Sequence, residues 1–427
     1  MKYCIVILTG TLQMKKLNLD SNLLVMLSLV MMVSLLPTQY IGGYSIIGPM
    51  SDDLNISKTI ATSSVFLTFA LGLSIGEFIV GPLADKYGKL PIFIIFLNIY
   101  SISSVLCSLF YSHAWFLFFR LISGFTVAAG IIISRAIISD HCNMSEGTTV
   151  LSKVKAASAV LVGLYPFLIS FAMEKMHLEW RSYFVFNAIF CSIVSSSTVY
   201  LLHSLGEKKD KNALSLNRIK TSFKHTLANK TYCIALAAVI LVSISINLIN
   251  FLMPHILLEH LNGDTNLLNL MQSVTGSIIA FFALTINAYC VKRGINAVSI
   301  ITTLAAILGF IAILLFIAFY SVSNKELLLQ IYLTLYSISL LCVIPCSLNL
   351  FLIASQTIDK KKVGSGFITS LTVSLKGFAS FLAVSSLPFI EGITVQNKLG
   401  AYAILTLICF IFILKNKNTL ASIENKS

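Results

Sequence analysis

Charge is what this sequence has least of. Only 11% of its residues are Asp, Glu, Lys or Arg, against 57% hydrophobic residues. A soluble domain carries roughly a quarter charged residues, so a water-soluble globule is excluded and most of the surface must meet lipid. Metal and disulfide signatures are also missing. The nine cysteines are scattered, several inside apolar runs (Cys107, Cys191, Cys233, Cys342), with no CxxC and no Cys/His cluster. That spacing argues against a disulfide framework or a zinc site. Walker A, HExxH and nucleophile-triad patterns are lacking, which removes an ATP-driven pump and the familiar membrane hydrolases. No inter-span stretch is long enough to fold as a soluble domain.

Long hydrophobic runs are what is there. Twelve stretches have the length of a membrane-spanning helix, which needs about 17–25 mostly apolar residues. They cover 23–47, 59–81, 91–111, 115–138, 155–173, 182–203, 231–253, 268–290, 296–320, 327–353, 366–388 and 398–414. The eighth is the least apolar, interrupted by Gln272, Thr275 and Asn287. None shows the two-residue alternation of a barrel strand, so the expectation is an all-helical membrane protein.

The net charge of +13 follows the same organisation. With twelve spans and the N-terminus inside, 22 of the 30 Lys and Arg fall on the cytoplasmic side and five on the other. The remaining three, Arg120, Arg135 and Lys376, lie in or at the ends of spans. That asymmetry places both termini in the cytoplasm. An odd number of spans would put Lys415 and Lys417 on the wrong side. Basic residues in short loops point to topology rather than to nucleic acid. The opening "MKYCIVILTG" has too short an apolar core, and no cleavage site, for a signal peptide. It reads as an extension, and Met14 would serve equally as a start. The longest polar interruption, 203–230, separates six spans from six. The expected domains are a six-helix half over 1–203, a cytoplasmic linker over 204–230 that is partly an interfacial helix, and a second half over 231–427.

Between the second and third spans lies "GPLADKYGKLP", residues 81–91, expected as a cytoplasmic loop. Its Gly81, Asp85, Lys86, Gly88 and Lys89 resemble the signature of the major facilitator superfamily, and "NAYCVKRG" at 287–294 is a degenerate echo in the second half. Alone the pattern is weak; between spans two and three of twelve it is specific. "LTFALGLSIGEFIVGPLADKYGKLP", "RLISGFTVAAGIIISRAIISD" and "FLMPHILLEHLNG" resemble more narrowly the Bcr/CflA drug-resistance branch. The resemblance covers most of the chain, the first half more fully. It implies a secondary transporter that expels amphipathic compounds in exchange for protons, working as a monomer in the inner membrane without a cofactor. The chain departs from that branch in two places. Span one reads "LPTQYIGGYSIIGPM", with Gln39 and Tyr40 and no acid, and "VGLYPFLIS" keeps only Gly163 and Pro166 of a Gly-rich pattern.

Charged groups inside spans carry the site expectations, because each costs roughly 2.5 kcal/mol or more near the bilayer centre. The family places an Arg at the position of Arg120 facing the central cavity; the alternative is that Arg120 snorkels to the outer surface. Glu77 stands where the branch more often has Gln, and it is the candidate to replace the missing span-one acid as proton carrier; the alternative is a pair with a nearby Lys. Lys376 falls where the branch commonly has Gln and is expected to reach the cavity, or else to run its stem to the inner interface. Asn247 and Asn250, with Pro254, are expected to break span seven near the substrate, though polar helix contacts explain them nearly as well. His255 reads as an interfacial residue at the outer mouth. Tyr40, Tyr44 and Tyr165 either line an aromatic cavity or pack between helices. The family also sets the loop acid, here Asp85, against the start of span eleven near "VGSGF". Lys89 is expected to meet Asp140 as a second clasp. Two other readings stay open: uptake or exchange of a nutrient or siderophore by the same fold, and a membrane sensor that transports nothing.

Overall fold

The structure is a computed structural model that describes residues 23–41, 46–56, 58–110, 112–142, 144–176, 178–202, 213–260, 265–321, 325–358, 363–385 and 395–424. Among the described residues every regular element is a helix. In chain order these are α1 (Leu23–Ile41), α2 (Ile47–Asp53), α3 (Lys58–Tyr87), α4 (Lys89–Leu109), α5 (His113–His141), α6 (Met144–Lys175), α7 (Ser182–Leu202) and α8 (Leu216–Ala228). They are followed by α9 (Lys230–His260), α10 (Thr265–Lys292), α11 (Ala297–Ser321), α12 (Lys325–Gln356), α13 (Ser365–Ser385), α14 (Val395–Lys415) and α15 (Lys417–Glu424). Each of the twelve apolar runs overlaps one of these helices. An apolar run in lipid has no water to satisfy its backbone, so helix is the conformation left to it. Six helical segments among the described residues are long and apolar enough to cross a membrane, or seven if the helices flanking Asn229 count as one span.

Two sequence expectations shift here. "GPLADKYGKLP" is not a loop: α3 runs to Tyr87, and only Gly88 separates it from α4. Gly88 makes the turn at φ 107°, a conformation that side chains resist. Pro82 lies inside the helix without ending it. Asp85 is therefore a residue of the last helical turn, with a fixed direction. Likewise α9 stays helical through Asn247, Asn250 and Pro254, so that span is not broken there. The side chains of Asn247, Asn250, Gln39 and Tyr40, and Tyr44 entirely, lie outside the described residues, as do the first 22 residues.

The chain forms two compact units. The first takes residues 1–143, 165–226 and 359–374; the second takes 144–164, 227–358 and 375–427. In the first unit, α3 and α5 approach closely through glycine. A Cβ on Gly72 would run into Leu121 O, one on Gly76 into Phe125 O, and one on Gly124 into Phe69 O. Gly72 and Gly76 form a GxxxG pair, the arrangement that lets membrane helices bring their backbones together. Beside them sits an aromatic core of Phe116, Trp180, Tyr183 and Phe184 with Ile46, Met50 and Val65. The short α2 is pinned to it: Asp53 accepts from Trp180 Nε1 at 3.1 Å and from Arg181 Nη2 at 3.1 Å. The outer face of α4 exposes Ile95, Ile99, Ile102 and Leu109, a row that suits lipid rather than water. In the second unit, Asn287 of α10 and Asn349 of α12 exchange amide hydrogen bonds at 3.3 and 2.9 Å, and Asn287 also donates to Ser152 of α6 at 2.9 Å. All three are buried, so Asn287, one of the polar residues noted in the eighth run, is a satisfied helix contact.

Candidate functional site

Residues four apart lie on one face of a helix, and Glu77, Gly81 and Asp85 share such a face on α3. All three storeys meet the start of α13. At the top, the Ser370 hydroxyl donates to the backbone carbonyl of Glu77 and, at 2.9 Å, to that of Phe78. In the middle, Gly81 has no room for a side chain, since a Cβ would overlap Gly366 O and the Ser370 side chain. At the bottom, Asp85 Oδ1 accepts from the Gly366 N–H and Oδ2 from the Phe367 N–H, each at 3.0 Å. Those N–H groups belong to the first turn of α13, where no helical carbonyl can reach them and the helix carries roughly half a positive charge. Asp85 is 8% exposed, so a carboxylate is held in a nearly dry site by two backbone donors and a helix dipole.

Lys89 opens α4 beyond the Gly88 turn and pairs with Asp140 in the last turn of α5. Its side chain is 8% exposed and that of Asp140 25%, so the pair is sheltered on one side only. Lys86 is half-buried, with Nζ 4.9 Å above the Tyr87 ring.

Deeper in the unit, Arg120 is 1% exposed and the largest fully buried side chain among the described residues. It does not snorkel. Its Nε donates to Val65 O at 2.9 Å, and its guanidinium lies 4.3 Å over the Phe69 ring and 5.6 Å from that of Phe184. The phenols of Tyr100 and Tyr183 and the thiol of Cys107 are within its electrostatic reach. Ring faces attract a cation most when water is absent, which offsets part of the burial cost. Glu77 is 3% exposed and lies within electrostatic reach of Arg135 of α5, itself 9% exposed. A basic neighbour of Glu77 is thus a buried Arg from an adjacent helix. Tyr165 donates to Asn187 Oδ1 and packs on Phe190 at 5.6 Å, a helix contact. Lys376 is half-buried on α13.

Sequence reasoning missed Ser370, held Gly366 only as part of "VGSGF", and counted Arg135 without giving it a role. Gly366 and Ser370 are small residues four apart in "GSGFITS", a signal for close helix approach. Arg135 stands five residues before Asp140 in "SRAIISD", inside a run long enough to span.

Buried charges among lipid-length helices, with a helix start gripped by an acid, define a polytopic membrane protein with polar machinery inside. The match to a family model narrows this. Residues 22–384 fit the Major Facilitator Superfamily, and the chain belongs to that family of multi-pass transporters. It is 30% identical over 131 residues to the uncharacterized MFS-type transporter YdgK of Bacillus subtilis, covering 28% of this chain and 33% of that protein. It is 20% identical over 174 residues to the bicyclomycin resistance protein homolog of Haemophilus influenzae, covering 41% and 43%. The chain thus spans between a third and under half the length of these relatives. Among solved structures, the proton:xylose symporter XylE superposes with a TM-score of 0.68 at 15% identity, covering 91% of this chain and 95% of that one. At that identity the likeness shows the fold alone.

Proposed function

We propose that the protein is a secondary active transporter that expels small amphipathic, drug-like molecules across the inner membrane in exchange for protons. The observation that carries this reading is the carboxylate of Asp85 seated on the first turn of α13. A charge–dipole contact of this kind contributes on the order of 0.3–2 kcal/mol, enough to bias two states of similar energy without locking them. In the proposed cycle the halves 1–203 and 231–427, joined by the linker 204–230, rock about a central site as a monomer with both termini in the cytoplasm. Asp85 and the Lys89–Asp140 pair hold the cytoplasmic side shut and release to open it; Gly81 and Gly88 allow the close approach and the turn.

Arg120 and Lys376 are the proposed cavity cations, and Gln39, Tyr40, Asn247 and Asn250 the proposed neutral lining. Glu77 is the proposed proton carrier. Its carboxylate lies within electrostatic reach of the buried Arg135, so a proton arriving there changes the charge of a dry environment and thereby the balance between states. The name of the Haemophilus influenzae relative supports a drug-like cargo. Proteoliposomes with an imposed pH gradient and a panel of amphipathic compounds test the reading. Proton-driven movement in the export direction is expected. Movement only in the opposite direction would favour uptake, and neither net transport nor counterflow exchange would overturn transport itself.

A further inference from the structure

Helix α8 carries Arg218, Lys220, Lys224 and His225 and no acid. Its start is capped, the Ser215 hydroxyl oxygen accepting from the Arg218 N–H at 3.2 Å. One face is committed to the protein. Phe223 stands edge-on to Phe367 at 5.2 Å and 89°, and tilts against Phe78 at 5.7 Å. Ser222 and Thr226, on the same face, are buried. The other face exposes Asn217, Lys220, Thr221, Lys224 and His225. Among the described residues no carboxylate lies within salt-bridge distance of Lys220 or Lys224.

The apolar side of α8 is therefore spent on α3 and α13, and its basic side is left for something anionic. Position along the chain says what that is. The apolar run of α9 begins at residue 231, only three residues after α8 ends. A helix that close to the hydrocarbon boundary sits at headgroup depth. We infer that α8 docks on the anionic phospholipid headgroups of the leaflet facing the basic loops, through the exposed Lys220 and Lys224. The contact has a mechanical consequence. Phe223 presses on Phe367, whose N–H is held by Asp85, so lipid that steadies α8 also steadies the helix start that Asp85 grips.

Each Lys near an anionic surface strengthens binding about fivefold, and two together about 25-fold. The test uses the full-length protein with Thr221→Trp, an exposed position between Lys220 and Lys224 on the basic face. It is reconstituted in vesicles containing either brominated phosphatidylglycerol or the same fraction of brominated phosphatidylcholine. The expected result is emission from the new Trp, above the signal of Trp115 and Trp180, quenched severalfold more by the anionic lipid at low salt. The preference should vanish in 1 M salt, where the screening length falls to about 3 Å. It should vanish too in the Lys220→Gln/Lys224→Gln variant, whose Phe223 contacts are untouched. Equal quenching by both lipids at low salt overturns the proposal, as does a preference that survives in the neutralised variant. Loss of the preference on adding millimolar inorganic phosphate makes the occupant a soluble anion and overturns it as well. The readout needs no substrate, so it stands or falls apart from the transport reading.

Discussion

Replacing Asp85 with Asn keeps the size and shape of the side chain and removes its charge. The wild-type carboxylate accepts from Gly366 and Phe367, each at 3.0 Å. In the variant one oxygen becomes an NH2 group, which cannot accept. One backbone donor at the start of α13 is left facing another donor, in a site where Asp85 is 8% exposed. A buried donor without a partner costs about 1–3 kcal/mol. The remaining bond falls from the charge-assisted to the neutral range, and the dipole interaction of roughly 0.3–2 kcal/mol is lost. These losses overlap, and about 2 kcal/mol is a fair net figure, equivalent to roughly a 30-fold shift between two states. If the contact holds the cytoplasmic side closed, Asp85→Asn should populate the open form. A Cys at position 376 should then react up to about 30-fold faster with a water-soluble thiol reagent added from that side. Transport in proteoliposomes should slow. Asp85→Glu should fail to restore the wild-type rate, because the carboxylate is closely boxed in by Gly364 and Gly366. Wild-type labelling and wild-type transport in Asp85→Asn would refute the clasp and leave Asp85 as a helix-end charge.

Glu77→Gln should abolish the response to a pH gradient while sparing substrate counterflow; an unchanged gradient response would dismiss Glu77 as proton carrier. Lys376→Met should alter the order of preference across a compound panel without changing membrane insertion, and a Cys at 376 that no soluble thiol reagent reaches in any state would remove that position from the cavity. Gly76→Ala should lower the thermal midpoint of the purified protein, because its Cβ overlaps Phe125 O and overpacking of this kind costs roughly 1–3 kcal/mol. Gly48→Ala, with nothing within 4 Å of its Cβ, is the matched control and should leave the midpoint in place.

Helices were the legible part of the fold, since a run too apolar for water has little choice of conformation in lipid. That logic located α1, α3 to α7 and α9 to α14, although α6 starts eleven residues before its run and α9 ends seven residues after its own. The linker 204–230, expected to be partly helical, does hold α8, though the bounds of that helix were not legible. The logic failed where a segment is polar but not flexible. "GPLADKY" carries loop-like residues, yet nothing in it stops a helix before Gly88, and the carboxylate that favours a loop in water is satisfied by another helix's first turn. Partnerships across the fold were harder still. Asp85 and Phe367 are 282 positions apart, and only a family resemblance suggested them as neighbours. Arg135 drew little notice because no spacing rule connects it with Glu77; their electrostatic proximity exists only once α3 and α5 have packed through their glycines. Pro254 misled in the other direction, since a helix in lipid can carry a proline when neighbours satisfy the freed carbonyl.

Gly366 and Asp85 share one small volume. A methyl group at 366 would stand 2.6 Å from Asp85 Oδ1 and 2.7 Å from Gly81 O, and neither neighbour can step aside, one being a seated carboxylate and the other backbone. Any lineage that carries this contact must therefore keep three positions together: Gly81, Asp85 and Gly366. A side chain gained at 366 demands a shorter residue at 85, and a shorter residue at 85 no longer reaches the helix start. Gradual drift through intermediates is closed off, and the grip can only be kept whole or discarded whole. Among related chains, loss of the acid should coincide with loss of the glycine opposite it, and the correlation itself becomes a record of which descendants still open and close in this way.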